Sequence, residues 1–151
     1  MSGNEFLMSG NGSKNILIVE DNRDDAELIK RKFRSSKINL NPNLISVEDG
    51  EKALDYLYRR KDYIDKNKFP DPNLIILDVR MPKLNGIEVL RKIKSDKNLK
   101  KIPVIMLTVS NLENDIIESF EIGCEHYIAK SVGFSKFEDT VGVIAKHYLS
   151  R

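Results

Sequence analysis

Short apolar runs alternate with helical patterns along this chain, and this alternation limits the possible folds more than any other feature. Most of the five short runs are continuous and rich in Ile, Leu and Val, which is typical of strands buried on both faces. Between and after them, apolar residues recur at helical spacing. We therefore predict a doubly wound α/β domain, a five-stranded parallel sheet with five helices in three α/β/α layers. The predicted strands are 15–19, 43–47, 74–78, 103–108 and 125–129.

Length and composition predict one domain that follows a disordered N-terminal tail. With 151 residues, of which 40% are hydrophobic and 32% charged, the chain can bury one core under a well-solvated surface. Residues 1–14 are polar and rich in Gly, Ser and Asn, so we assign them to the tail and residues 15–151 to the domain. No output domain is expected, because the last helical pattern ends next to the C-terminus.

Charge and hydropathy argue against several classes of partner. A net charge of +2 gives no electrostatic case for nucleic acid. No apolar run approaches the ~20 residues of a membrane span. The single cysteine, Cys124, cannot form an internal disulfide, and we predict that it is a buried small residue. We therefore expect a cytoplasmic protein that binds neither nucleic acid nor membrane.

Polar residues follow directly after four of the five predicted strands. In open α/β sheets, ligands bind outside the carboxyl ends of the strands, where the strand order switches. We therefore expect these side chains to meet at one site. They are Glu20 and Asp21 after the first strand, Asp78 at the end of the third, Thr108 at the end of the fourth and Lys130 after the fifth.

The three carboxylates of this set need a cation or a proton. A pair of them at roughly 5 Å repels by on the order of 3 kcal/mol at an effective dielectric of ~20. Oxygen ligands without His or Cys favour a hard ion, and Mg²⁺ suits a site that shares a phosphate. Lys130 and Thr108 add a cation and a hydroxyl donor. This combination suits a phosphoryl group carried on a carboxylate.

In these features the sequence resembles the receiver domain of two-component response regulators. The resemblance spans residues 15–148 and rests on the acidic pair Glu20-Asp21, the LDVRMP stretch around Asp78 with Gly86 beyond it, and the positions of Thr108 and Lys130. It implies the flavodoxin-like variant of the predicted fold. The KFPDP loop before the third strand and the EIGCEHYIAK segment are similar to the single-domain regulators of bacterial phytochrome-type kinases.

The resemblance implies a phosphoryl acceptor and a metal site. Asp78 would take the phosphoryl group from the phosphohistidine of a sensor histidine kinase, with a phytochrome-type kinase as the candidate. Mg²⁺ would be ligated by Asp21, Asp78 and the backbone carbonyl of Arg80, with Glu20 acting through water. The protein would be a phosphoacceptor in signal transduction and not an enzyme.

The resemblance also implies a switch. Lys130 would pair with the phosphoryl oxygens, and Thr108 would bond another oxygen and shift inward. Tyr127 would then turn inward, although its position fits a half-buried strand aromatic equally well. The face made by the fourth helix, the fifth strand and the last helix would bind a partner or form a homodimer, with Ile117, Phe120 and Tyr127 as candidate contacts. The alternative is a phosphorelay shuttle to a histidine phosphotransfer protein.

Residues at four positions are expected to affect the lifetime of the phosphoryl group or the backbone beside the site. They are Arg80, Val109, Ser110 and Ser131. Arg80 cannot act as a base toward water, because guanidinium stays protonated. Val109 is bulkier than the residue often found beside the threonine, and Ser110 follows it. We therefore expect slow self-dephosphorylation. After Lys130 the family usually has a proline joined by a cis peptide, whereas this chain has Ser131. Either a strained cis bond persists, or the bond is trans and the loop 131–134 rearranges with help from Gly133.

Rival functions fit the site less well. A phosphatase with an aspartate nucleophile usually needs a second acid two residues on, where this chain has Arg80. A cofactor-binding flavodoxin relative would need a phosphate loop after the first strand. That position holds Glu20 and Asp21, whose charges repel phosphate. A degenerate receiver that only binds partners would not require the complete acid, threonine and lysine set.

Overall fold

The computed structural model describes residues 14–35, 37 and 39–150. One sheet of five parallel strands lies at its centre, as predicted. Most of the predicted tail, residues 1–13, lies outside the described residues. The strands are β1 (Asn15–Val19), β2 (Asn43–Val47), β3 (Leu74–Leu77), β4 (Val104–Thr108) and β5 (His126–Ala129), in the spatial order β2-β1-β3-β4-β5.

The prediction of five helices was wrong in number, because the described residues form six α helices and one 3₁₀ turn at Lys61–Tyr63. The additional helix occupies the segment after β5, for which a loop was expected. None of the helices in the described residues is long and apolar enough to cross a membrane. They are α1 (Arg23–Ser35), α2 (Gly50–Leu57), α3 (Gly86–Ser95), α4 (Glu113–Ile122), α5 (Lys130–Ser135) and α6 (Val141–Leu149).

The extra helix α5 forms in the segment after Lys130, where this chain lacks the proline that the family usually has. No peptide bond among the described residues is cis, so the Lys130–Ser131 bond is trans. The chain turns directly into α5, which is the second of the two predicted alternatives. Gly133 allows this turn to pack against the sheet, since a Cβ on it would lie 2.6 Å from the Leu107 Cδ1 methyl. The segment after Lys130 thus forms a short helix with trans peptide bonds.

The core lies on both faces of the sheet, as the continuous apolar runs predict. Along β1, Leu17 and Val19 belong to a cluster with residues of α2 and α3. The alternate residues Ile16 and Ile18 belong to a second cluster with residues of α1 and α6. All four side chains are at most 1% exposed. This two-sided burial gives the three-layer α/β/α arrangement.

Cys124 is buried in the first of these clusters, as predicted, and we expect it to be unreactive in the folded protein. Burial raises the pKa of its thiol from 9.0 to about 11. The thiolate is the reactive form, so at pH 8 the folded protein should react with a thiol reagent at least about 100-fold more slowly than the unfolded chain. Labelling rates with and without denaturant measure this ratio, and equal rates would refute it.

Candidate functional site

The two central strands bring a buried pair of acids to one point. Val19 of β1 pairs with Leu77 of β3, so the next residues, Glu20 and Asp78, leave the sheet side by side. The backbone N–H of Asp78 donates to the carbonyl of Val19 over 3.1 Å, and that of Glu20 donates to Val47 over 3.1 Å. The chain leaves β1 for β2 on one side, while β3 lies on the other. The acids therefore lie at the switch point of the sheet.

Lys130 connects this pair to a third carboxylate. Its Nζ lies 2.7 Å from Asp25 Oδ2, 2.9 Å from Glu20 Oε1 and 3.0 Å from Asp78 Oδ2. Burial acts to lower the pKa of Lys130, but hydrogen bonds to Asp25, Glu20 and Asp78 outweigh it and the pKa is raised. The lysine is 6% exposed, so it stays charged inside the protein because its three partners are carboxylates.

The raised pKa of Glu20 indicates that the single charge of Lys130 does not neutralise the acids of the site. Burial raises the pKa of Glu20 to about 7, and the negative charge of Asp78 adds to the rise, against the lowering effect of the Lys130 hydrogen bond. The pKa is 4.5 for an ordinary glutamate. Ionising Glu20 therefore lowers the free energy of unfolding as the pH increases from about 4.5 to about 7. A bound cation would remove this penalty.

The donor set fits a hard divalent cation. One carboxylate oxygen from each of Glu20, Asp21 and Asp78 lies within 4.8 Å of the others. Glu20 and Asp78 are buried while Asp21 is exposed, so the group opens to solvent on one side. Carboxylate oxygens with room for water are what Mg²⁺ requires. The backbone N–H of Arg80 donates to Asp78 Oδ1 over 3.3 Å, and metal ligation by its carbonyl stays a prediction.

A second group of polar side chains, which we call the loop network, lies beside the acids. Asp115 Oδ2 accepts hydrogen bonds from Ser110 Oγ over 2.6 Å and from Arg80 Nη2 over 2.8 Å. The backbone N–H of Ser110 donates to Thr108 Oγ1 over 3.2 Å, and its carbonyl accepts the Tyr127 hydroxyl over 3.0 Å. The network thus joins four residues to which the sequence assigned switching or tuning roles.

Three of the other predicted residues, Val109, Ile117 and Phe120, are exposed at the surface. Val109 is 68% exposed, so its side chain is not buried over the acceptor. Ile117 and Phe120 of α4 are 47% and 50% exposed, and are therefore available to a partner. Tyr127 is half-buried, which agrees with both readings of its position in the sequence. Slow self-dephosphorylation and the switching role of Tyr127 stay predictions.

Sequence reasoning missed two residues, Asp25 and Asp115. Both lie in the first turn of a helix, where acidic residues are common because they interact favourably with the helix dipole. That ordinary explanation concealed their contacts. Asp25 follows the acidic pair closely enough to have been considered, whereas Asp115 is 35 residues from Arg80 and carries no local signal.

We expect Asp115→Asn to weaken the loop network. The carboxylate accepts two hydrogen bonds, one of them from a charged guanidinium, and its side chain is 16% exposed. Because Arg80 is 51% exposed and solvent screens the pair, we expect a loss of about 1 kcal/mol of unfolding free energy. Urea denaturation measures this loss, and the Ser110 amide resonance should shift at the same time.

The matched control is Glu118→Gln on the same helix. Glu118 also pairs with an arginine of a neighbouring helix, Arg91, but both side chains are about half exposed, at 46% and 48%. We expect a smaller loss, below about 0.5 kcal/mol, and no shift at Ser110. Equal losses for the two variants would mean that the loop network adds nothing to an ordinary surface ion pair.

Comparison with known proteins agrees with this geometry. Residues 16–142 match the family described as response regulator receiver domain. The chain is 40% identical over 121 residues to response regulator Rcp1 of Synechocystis, covering 80% of this chain and 79% of Rcp1. It is 34% identical to the probable methanogenesis regulatory protein FilR2 of Methanothrix harundinacea, covering 89% of this chain and 83% of FilR2.

Solved structures give the same result. The phosphorylated cyanobacterial phytochrome response regulator RcpA superimposes with a TM-score of 0.80 at 38% identity, over 91% of this chain and 95% of RcpA. The Mn²⁺-bound form of Rcp1 superimposes with a TM-score of 0.77 at 38% identity, over 90% of this chain and 94% of Rcp1. The similarity therefore includes regulators crystallised in a phosphorylated form and with a divalent metal.

Proposed function

The chain belongs to the response regulator receiver domain family, and we propose that it is a single-domain regulator in which Asp78 accepts a phosphoryl group from a sensor histidine kinase. The observation that carries this proposal is the position of Asp78. Asp78 is 3% exposed and directly follows the central strand β3, and its carboxylate lies 3.0 Å from the Lys130 ammonium. A buried acid fixed beside a cation and two further acids is arranged for chemistry on that acid.

The chemistry is transfer of a phosphoryl group between two nucleophiles. An oxygen of Asp78 attacks the phosphorus of a phosphohistidine in line with the nitrogen that leaves. A P–O bond forms and the P–N bond breaks, and the imidazole nitrogen keeps the electron pair and takes up a proton. Lys130 contributes by donating to a phosphoryl oxygen beside its present partner, Asp78 Oδ2. The product is an aspartyl phosphate.

Mg²⁺ is the proposed cofactor. Glu20, Asp21 and Asp78 would hold it, and bound Mg²⁺ supplies positive charge that offsets the carboxylates and the incoming phosphoryl oxygens. Support comes from the three convergent oxygens and from the Mn²⁺-bound form of Rcp1. Lys130 alone cannot balance the charge, since burial and Asp78 together already raise the pKa of Glu20 to about 7.

The loop network provides a route from the acceptor to the surface. Thr108 Oγ1 and the Tyr127 hydroxyl both bond to the backbone of Ser110. If Thr108 shifts toward a phosphoryl oxygen, the Ser110 backbone follows because its N–H is bonded to Thr108. The carbonyl that accepts the Tyr127 hydroxyl then changes position. Phosphorylation then favours one of two arrangements of the α4, β5 and α6 face, whose exposed Ile117 and Phe120 contact a partner or a second copy.

The partner kinase is of the phytochrome type. This part of the proposal is supported by similarity to the phytochrome response regulator RcpA and to Rcp1. The phosphoryl group is long-lived, because Arg80 holds a proton permanently and cannot activate water. We place the protein in the cytoplasm, in line with its single thiol. Onward transfer to a histidine phosphotransfer protein stays a prediction.

Incubation with a small phosphodonor tests the proposal. Wild-type protein is treated with acetyl phosphate, with Mg²⁺ in one sample and a chelator in the other, and intact mass is measured. We expect one phosphoryl group with Mg²⁺ and almost none with the chelator. An unrelated receiver domain serves as the positive control. If that control is phosphorylated and this protein is not, the proposal fails, and equal uptake in both samples removes Mg²⁺ from it.

A further inference from the structure

The third carboxylate on Lys130, that of Asp25, is separate from the metal-binding group. Asp25 Oδ2 lies 2.7 Å from Lys130 Nζ, which is the shortest of the three contacts of this amine. Among the described residues, the acids that could hold a metal together are Glu20, Asp21 and Asp78, without Asp25. Lys130 therefore has two partners that a cation would also use and one that it would not.

The difference between these two kinds of partner matters once a cation or a phosphoryl group is bound. A cation bound by Glu20 and Asp78 competes for the carboxylate oxygens that Lys130 now contacts, and phosphorylation converts one Asp78 oxygen into an ester. Lys130 is 6% exposed, so its ammonium has little contact with water that could replace the lost partners. A buried ammonium without a partner is strongly unfavourable. The Asp25 carboxylate is the partner that remains available in every one of these states.

We propose that Asp25 is a positioning residue that holds the Lys130 ammonium beside Asp78 while the other acids bind the cation and the phosphoryl group. This inference rests on the proposed function. Asp25 acts through Lys130 and does not itself touch the reacting atoms. It therefore affects how fast the phosphoryl group is accepted, with little effect on the fold.

The local structure suits a fixed tether, by which we mean the ion pair with Asp25 that holds the Lys130 ammonium in place. Asp25 lies in the first turn of α1, and its backbone N–H donates to Asn22 Oδ1 over 3.0 Å, which fixes the start of the helix. Lys130 has a flexible four-carbon side chain and begins the short helix α5. The ion pair spans 105 residues and joins α1 to α5. A rigid acceptor on one helix thus restricts a flexible donor on the other.

The neighbouring Asp24 provides a matched control. It has the same charge, lies in the same first turn of α1 and is exposed to solvent. The carboxylates that pair with Lys130 among the described residues are those of Glu20, Asp25 and Asp78, and Asp24 is not one of them. Asp24→Asn therefore removes one negative charge near the site without removing the tether, and it measures the general electrostatic effect alone.

The test compares Asp25→Asn, Asp25→Glu and Asp24→Asn with wild type at saturating Mg²⁺. We expect Asp25→Asn to take up phosphoryl from acetyl phosphate about tenfold more slowly, which is the loss of one charge-assisted hydrogen bond in the transition state. Asp25→Glu should recover part of the rate because it keeps a carboxylate. Asp24→Asn should stay within about twofold of wild type. Thermal unfolding confirms that each variant is folded.

A second readout does not depend on activity. The Lys130 ammonium protons should be visible by NMR in wild type with and without Mg²⁺, since hydrogen bonds slow their exchange. In Asp25→Asn the signal should disappear when Mg²⁺ is added. If wild type takes up phosphoryl but Asp25→Asn matches Asp24→Asn in rate and keeps the signal, the tether is refuted and the proposed function stands. If wild type takes up none, the proposed function itself fails.

Discussion

Asp78→Asn is expected to abolish phosphoryl uptake without destabilising the fold. The amide has no nucleophilic carboxylate oxygen, so no aspartyl phosphate can form. Lys130 keeps two carboxylate partners, Asp25 and Glu20, at 2.7 and 2.9 Å. Removal of the Asp78 charge also removes one cause of the raised pKa of Glu20. We therefore expect the free energy of unfolding without Mg²⁺ to stay within about 1 kcal/mol of wild type, or to increase.

Intact mass and urea denaturation measure the two parts of this prediction. The control is Asp55→Asn, which changes a buried aspartate on α2 that pairs with Arg60 and Lys61, away from the acidic site. It should accept phosphoryl like wild type. Phosphoryl gain in Asp78→Asn would move the acceptor to another residue. A large loss of stability would mean that Asp78 holds Lys130 in place more strongly than Asp25 and Glu20 do.

Gly86→Ala is expected to have the second large effect, this time on the fold. Gly86 begins α3, and a Cβ on it would lie 1.9 Å from the carbonyl oxygen of Asp78 and 2.9 Å from Cα of Val79. These are backbone atoms, so no side-chain rotation relieves the overlap. Gly86 also donates to the Val79 carbonyl over 2.8 Å, which keeps the two segments together. The helix must move away from the acceptor, at a cost of roughly 4 kcal/mol or more.

The control for this prediction is Gly133→Ala. There the Cβ would lie 2.6 Å from Cδ1 of Leu107, a side-chain methyl that can rotate away. We expect a loss of only about 1–3 kcal/mol, as for ordinary overpacking. Urea denaturation of both variants gives the comparison. If Gly86→Ala is no more destabilising than Gly133→Ala, the close approach of α3 to Asp78 does not require glycine.

Most of the sheet could be predicted because its signals are local. A continuous apolar run must be buried on both faces, and all five predicted strands exist within one residue of the expected ends. The helix count could not be predicted in the same way. Segment 130–135 carries no helical pattern of apolar residues, and it becomes helical where Lys130 is bonded to three carboxylates and Gly133 packs on Leu107.

The residues of the site also differ in whether a local sequence signal marks them. Glu20, Asp21, Asp78, Thr108 and Lys130 were recognisable from sequence because each follows an apolar run, and parallel strands bring their carboxyl ends to one edge. Asp25 and Asp115 carried no such mark.

The sequence by itself therefore determined the sheet, its buried faces and the acids at its edge, because these follow from short-range patterns of apolar and polar residues. The tertiary structure alone decided which further acids reach Lys130 and Arg80, because contacts such as Asp25 with Lys130 join residues 105 apart. Such contacts depend on how the helices pack on the sheet. It also decided that the Lys130–Ser131 bond is trans, with the chain continuing from Lys130 directly into α5.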